Sequence, residues 1–285
     1  MVERTLLAVL AHPDDESFGM GGTIALYARR GVAVHLICGT QGEAGTVSPE
    51  MMEGHDSIAE LRLSELNCAV QTLGIRELHM LGYRDSGMAG TEDNHRPGAL
   101  AAAPLEEVVE KVTALIRSIR PQVVVTFDPV GGYHHPDHIK IHQATLEAFH
   151  AAPDPLRFPE QGEPFQPEKL YYHTFPRRMV RFAVRALPLL GRDPHRFGRN
   201  QDIDLTELAK DDFPVHARID VSSVRDVKDR AGACHVSQQS FGDTRWPVIS
   251  NLLRLADRNE GFMRAYPPAN GRTKEKDLFD GLPAA

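Results

Sequence analysis

Short apolar runs recur through the first half of this chain. Each gives way to a polar turn and then to a segment with helical spacing. Residues 5–11 carry Leu6, Leu7, Ala8, Val9, Leu10 and Ala11 without a break, which predicts a buried strand. Residues 20–30 predict a helix closed by Gly31, and 32–38 a second strand. In 57–73, Ile58, Leu61, Leu66, Ala69, Val70 and Leu73 make a helical stripe that Gly74 ends. A short strand at 77–81 and a polar, glycine-rich stretch at 82–90 follow. Residues 91–103 read as a mobile loop. A helix at 104–119 opens on Pro104 and turns Val108, Val109, Val112, Leu115, Ile116 and Ile119 to one face. A fourth strand at 123–127 and a helix at 138–150 complete this half.

Beyond residue 150 the pattern loosens. Pro153, Pro155, Pro159, Pro164 and Pro167 make 151–167 a long connection. Residues 169–174 and 217–221 read as strands, 224–235 and 248–264 as helices, and the polar stretch from 273 as a flexible tail. Arg177, Arg178, Arg181 and Arg185 recur at three-to-four spacing in an apolar segment that stops near Pro188. That segment reads as a lid first, a subunit contact second and a membrane-surface helix last. The repeated strand-loop-helix order predicts an α/β fold: a Rossmann-like, mostly parallel sheet with helices on both faces and right-handed crossovers. We expect one domain over 1–285. It comprises an α/β core at 1–150, a variable lid or insertion at 151–214, a C-terminal strand and helices at 215–270, and a tail at 271–285.

Composition narrows the partners. The 285 residues carry a net charge of −7, with a pI of about 6.0. That balance argues against a general binder of nucleic acid or anionic membrane. No run approaches the ~20 apolar residues of a membrane span. The first residues lack a basic leader with an apolar core, so a cytoplasmic location is expected. Cys38, Cys68 and Cys234 are odd in number and form no C-x-x-C, which predicts reduced, buried thiols.

The candidate chemistry lies where two strands end. The first runs into His12-Pro13-Asp14-Asp15-Glu16, the fourth into Asp128-Pro129-Val130-Gly131-Gly132-Tyr133-His134-His135-Pro136-Asp137-His138. Sites in open α/β sheets collect outside the carboxyl ends of strands. Buried unpaired acids are costly, and a cation would pair them. His12 and Asp15 are close enough in sequence to share an ion. His138, or His142 one helical turn later, would supply a third ligand and leave a position for water. Zinc is the default ion for such a set, and iron(II) suits similar ligands. Asp14 would then be free as a general base, and His135 as an acid or oxyanion donor. Asp137 would orient His135 or cap the following helix. Tyr133 would donate to an oxyanion or pack as a loop aromatic. Glycines in 39–45 would let backbone approach a ligand or simply make a turn. Arg62 and Glu65, three apart on a helix, could pair with each other. Gly19, Gly21 and Gly22 do not make a dinucleotide fingerprint, because the turn before them is acidic.

These paired His-Pro-Asp motifs resemble the LmbE-like, or PIG-L, family of zinc-dependent N-acetylglucosaminyl deacetylases. Residues 40–45, Arg62 to Leu66 and His235 to Gln238 also look like family positions. The resemblance implies zinc on His12, Asp15 and His138, Asp14 as base, and His135 as acid with Asp137 as its partner. It places Tyr133 near the oxyanion, Arg62 and Asp85 at sugar hydroxyls, and Glu43 near the substrate. The stretch 84–91 looks most like the mycothiol-pathway branch, which deacetylates a glucosamine–inositol conjugate or cleaves a mycothiol-conjugate amide. His134 departs from that branch, which tends to carry glycine there, and 151–214 matches nothing recognisable. The expected activity is hydrolysis of the N-acetyl amide of a small amino-sugar substrate. A conjugate amidase is the rival enzyme, an inert metal-binding protein the rival outside enzymes, and a homo-oligomer is left open.

Overall fold

In a computed structural model of the chain, residues 3–174, 177–196, 204–238, 258–271 and 273–283 are described. In chain order the elements begin with β1 (Thr5–Leu10), α1 (Asp15–Phe18), α2 (Gly21–Arg29), β2 (Ala33–Thr40), α3 (Ile58–Leu73) and β3 (Glu77–Tyr83). There follow α4 (Leu105–Ile119), β4 (Val123–Phe127), a kinked turn α5 (Gly131–His134), α6 (Pro136–Ala151) and β5 (Lys169–Thr174). Last come α7 (Arg177–Ala186), α8 (Leu205–Leu208), β6 (Ala217–Asp220), α9 (Arg225–Cys234) and β7 (Asn259–Tyr266).

The sheet has seven strands in the order β3-β2-β1-β4-β5-β7-β6. Strands β1 to β5 pair in parallel, whereas β7 runs antiparallel to both β5 and β6. Every residue of β1, β2 and β4 is buried. That is why these strands read as unbroken apolar runs and not as alternating ones. The chain winds outward from β1 through β2 to β3 and then returns to place β4 on the other side of β1. The carboxyl ends of β1 and β4 therefore flank the point where the winding reverses, the position at which open α/β sheets bind ligands.

Helix ends follow local chemistry. The Ser57 side chain accepts from the Glu60 N–H at 3.2 Å, and Gly74 closes α3 at φ 75°. At the start of α2 the cap comes from far away. Glu260 on β7 accepts the N–H of Gly22 at 3.0 Å and of Thr23 at 2.7 Å, and Lys228 pairs with it at 2.9 Å. A side chain at position 22 would meet Val221 Cβ at 2.6 Å. Gly22 thus serves close packing of α2 against the strand-end at Val221.

Several expectations change. The helix expected to reach residue 264 gives way to β7 over Asn259–Tyr266, and 248–257 lie outside the described residues. The tail from 273 is tied to the core: Leu278 and Phe279 are buried, and Tyr27 and Tyr171 bond to Asp277 and Glu275 at 2.8 Å. The loop at 91–103 packs Ala99 and Leu100 inside and bridges Arg84 to Ala99. Cys68 on α3 and Cys234 at the end of α9 form a disulfide with Cα atoms 5.7 Å apart. Only Cys38 is a buried free thiol. The pairing depends on α3 lying against α9, which no spacing along the chain reveals. Among the described residues, no helix is long and apolar enough to cross a membrane.

Candidate active site

The turn after β1 turns back on itself to present its acids. Asp15 opens α1, and its Oδ2 accepts the backbone N–H of His12 at 2.8 Å and of Ala11 at 3.2 Å. Asp14 sits just before it at φ 122°, a strained backbone for an aspartate. After β4, Asp128 accepts the N–H of Gly132 at 2.9 Å and shapes the turn. His135 then caps α6, its Nδ1 accepting the Asp137 N–H at 3.2 Å, with Pro136 at the first helical position. The helix therefore starts two residues earlier than its spacing suggests. His135, not Asp137, is its cap.

Three of the expected ligands meet. His12 Nδ1 lies 3.1 Å from His138 Nε2 and 3.6 Å from Asp15 Oδ2. His138 Nε2 lies 3.4 Å from Asp15 Oδ1. Tetrahedral bonds of about 2.0–2.1 Å place ligand atoms about 3.3–3.4 Å apart, and the two nitrogens, each with a different oxygen of Asp15 beside it, come near that spacing. The far nitrogens fix the tautomers. His138 Nδ1 faces the Gly131 carbonyl at 3.1 Å, and His12 Nε2 faces Asp137 Oδ2 at 3.1 Å. Both must carry hydrogen to satisfy those acceptors. Two lone pairs are then left facing each other, an arrangement that only a cation or a proton between them relieves. His142 turns away and bonds to the Phe127 carbonyl at 2.9 Å.

Asp137 does not orient His135 through its carboxylate. That group is taken by His12 and by Ser86, whose N–H donates at 2.9 Å and whose hydroxyl donates to the other oxygen. Asp85 also approaches His12 Nε2, at 3.5 Å, and accepts the Gly87 N–H. Arg62 is buried and pairs with the half-buried Asp14, not with Glu65. It donates to Asp14 Oδ2 and to the Gly42 carbonyl, each at 2.9 Å, and to the Pro13 carbonyl. Gly42, at φ 70°, has room for no side chain because Arg62 occupies the space. The glycine loop thus closes on an arginine of its own chain. Glu65 instead binds the N–H and hydroxyl of Ser237, each at 2.7 Å. Glu43 is half-buried, and its Oε2 has no hydrogen-bond partner among the described residues.

Tyr133 stands edge-on to His138 and His135, with ring centroids 4.9 and 5.8 Å away. His134 has φ 66°, in the left-handed region where glycine is easiest, and its Nε2 meets Asp211 at 3.1 Å. Sequence reasoning missed Ser86, which anchors Asp137. It also missed the buried Glu16–His235 pair at 2.7 Å and the Phe127 ring stacked on His138 at 3.9 Å.

The charges divide the site. Burial pushes Asp14 up to about 7, although Arg62 pulls it down. Asp15 moves the other way: burial opposes ionisation, but His138 and His12 hold the carboxylate well below its ordinary range. Burial works against the His12 imidazolium, yet Asp85, Asp137 and Asp15 outweigh it and raise His12. Burial and the neighbouring His12 and His138 keep His135 neutral. Burial also raises the Tyr133 hydroxyl, so it stays protonated as a donor.

Residues 7–149 match the family model described as PIG-L, GlcNAc-PI de-N-acetylase. The chain is 37% identical to the 1D-myo-inositol 2-acetamido-2-deoxy-alpha-D-glucopyranoside deacetylase of Streptomyces avermitilis, over 98% of each chain. It is 38% identical to the protein of the same name from Geodermatophilus obscurus, again over 98% of each. Among solved structures, N,N'-diacetylchitobiose deacetylase from Pyrococcus horikoshii superposes with a TM-score of 0.62 at 22% identity, covering 92% of this chain and 83% of that one. At that identity the structural likeness speaks to the fold alone.

Proposed function

We infer, for a chain that belongs to the PIG-L family of GlcNAc-PI de-N-acetylases, a cation-dependent hydrolysis of the N-acetyl amide of an N-acetylglucosamine-containing small molecule. The observation that carries this reading is the facing pair His12 Nδ1 and His138 Nε2, 3.1 Å apart with Asp15 beside them. We assign zinc to His12, Asp15 and His138, with iron(II) as the alternative ion. When bound, such a cation supplies an activated water and a polarised acetyl carbonyl.

The chain's own groups do the rest. Asp14, held by Arg62, takes a proton from the attacking water. The proton of His135 sits on Nε2, because Nδ1 accepts from Asp137. As a neutral imidazole it hydrogen-bonds to the oxyanion and keeps its proton, so the acid step moves from His135 to Asp14, which hands the proton taken from the water to the departing amine. Tyr133 donates to the same oxyanion. The C–N bond breaks, and acetate and a free amino sugar leave. Asp137, through Ser86 and His12, is a positioning residue, and Asp85 shares that contact. Glu43 offers its unpartnered oxygen to a sugar hydroxyl. Arg62 we move from the sugar to Asp14.

The inositol glycoside is the first substrate to test, because relatives at 35–38% identity over nearly the full chain carry that name. We treat residues 1–285 as one catalytic domain in the cytoplasm, with 151–214 as a lid. The His134–Asp211 contact supports that assignment by tying the segment to the turn after β4. The test is primary-amine release by the cation-loaded chain and its Asp14→Asn variant. The variant should keep its cation and lose about 10²–10⁴-fold in kcat. Full turnover would remove Asp14 as base. Release from a thiol-conjugate amide and not from the N-acetyl glycoside would make the chain an amidase.

A further inference from the structure

Away from the reaction site, His35 on β2 meets Glu77 and His79 on β3. Their parallel register sets His35 opposite Glu77 and Ile37 opposite His79. Alternation along a strand then puts all three side chains on one face. His35 Nδ1 lies 3.3 Å from His79 Nε2, and Glu77 Oε2 lies 3.7 Å from each nitrogen. The two rings stack at 5.6 Å with 13° between their planes. These ligand atoms all fall within 4.8 Å of one another.

The tetrahedral spacing of about 3.3–3.4 Å applies here as well. The nitrogens already have it. Glu77, with 60% of its side chain exposed, closes the remaining distance by a small rotation. The histidines are largely covered, so an ion would enter from the carboxylate side, where a water would fill the fourth position. Two imidazoles and one carboxylate suit late first-row ions better than calcium or magnesium.

We propose that His35, Glu77 and His79 form a second divalent-cation site, of the zinc type, that clips β3 to β2. Among the described residues β3 is the edge of the sheet and pairs only with β2. His35, Glu77 and His79 lie in the amino-terminal halves of their strands, at the opposite end of the sheet from the reaction site. The role is therefore structural and not catalytic.

The test uses the whole metal-stripped chain and Zn2+ as the probe, with bound metal counted after dialysis. Wild type should hold one Zn2+ more than His79→Ala, with amine release equal in the two. His138→Ala, which removes an active-site ligand, should also lose one Zn2+ but lose amine release with it. If His79→Ala misfolds by circular dichroism, Glu77→Gln should weaken the same binding step by about tenfold or more, since a direct ligand costs no less than the outer-shell partner of one. Equal Zn2+ counts and affinities in wild type, His79→Ala and Glu77→Gln would overturn the proposal, whatever becomes of the reaction site.

Discussion

Replacing Arg62 by methionine removes one charge and three hydrogen bonds while keeping the length of the side chain. Its guanidinium is buried against Asp14 at 2.9 Å and is the strongest influence holding that carboxyl down against burial. An opposite charge at this range depresses an aspartate by about 1–3 units, so its loss should raise Asp14 by that much. The base must be ionised to act. With Asp14 at about 7 in the cation-free protein, close to half is ionised at pH 7. After the substitution, about a tenth to a thousandth would be. The acidic limb of the kcat/KM profile, which reports the free enzyme, should move to higher pH by about 1–3 units, and activity should recover in alkali. A bound cation lowers the limb in both proteins and leaves their separation as the quantity to read. Breaking a buried ion pair also costs about 3–5 kcal/mol, tempered here because Asp14 can take up a proton. At roughly 2 °C per kcal/mol in a chain of this size, the variant should melt several degrees lower. Arg62→Lys separates charge from geometry: it should keep most of the limb's position and still lose stability, because one ammonium cannot serve all three acceptors. An unmoved limb in Arg62→Met, with KM alone raised, would refute the argument and return Arg62 to the sugar.

Ser86→Ala strips Asp137 of a hydroxyl donor and leaves the Ala101 N–H, which donates to Ser86 Oγ at 2.8 Å, without its acceptor. Cation affinity should fall about 10–100-fold, read by competition with a chelator, and unchanged affinity would mean that His12 needs no such support. The Cys68–Cys234 disulfide spans 166 residues, for which chain entropy sets a ceiling of about 5 kcal/mol. Wild type should melt lower with reductant than without, and Cys68→Ala should abolish the difference; a reductant-independent wild type would mean that the thiols stay apart.

What the sequence disclosed about this site was its floor and not its walls. The runs before His12 and Asp128 are legible because a strand buried on both faces must be apolar throughout, and the loops that leave it must carry the chemistry. The partners across the fold are not legible in that way. Glu16 with His235, Glu65 with Ser237 and Glu260 with Gly22 join positions 172 to 238 residues apart, and no period along the chain connects them. The tail was misread for a related reason. Leu278 and Phe279 are two apolar residues in a polar stretch, and the distant partners of Asp277 and Glu275, among them the Tyr27 and Tyr171 hydroxyls, make that stretch worth ordering. β7 was lost because its Phe262 completes a sheet between two strands that are themselves distant in sequence. Yet α3 did carry a signal. Leu61, Arg62, Glu65, Leu66, Ala69 and Leu73 form the buried stripe of that helix, two adjacent pairs and then single positions three and four residues on. Two charges on such a stripe are poor candidates for a solvated pair, since burying them unpartnered is costly. Each therefore required a polar partner from elsewhere in the fold. Asp14 for Arg62 and Ser237 for Glu65 meet that requirement, and they bind α3 to the reaction loop and to the segment after α9.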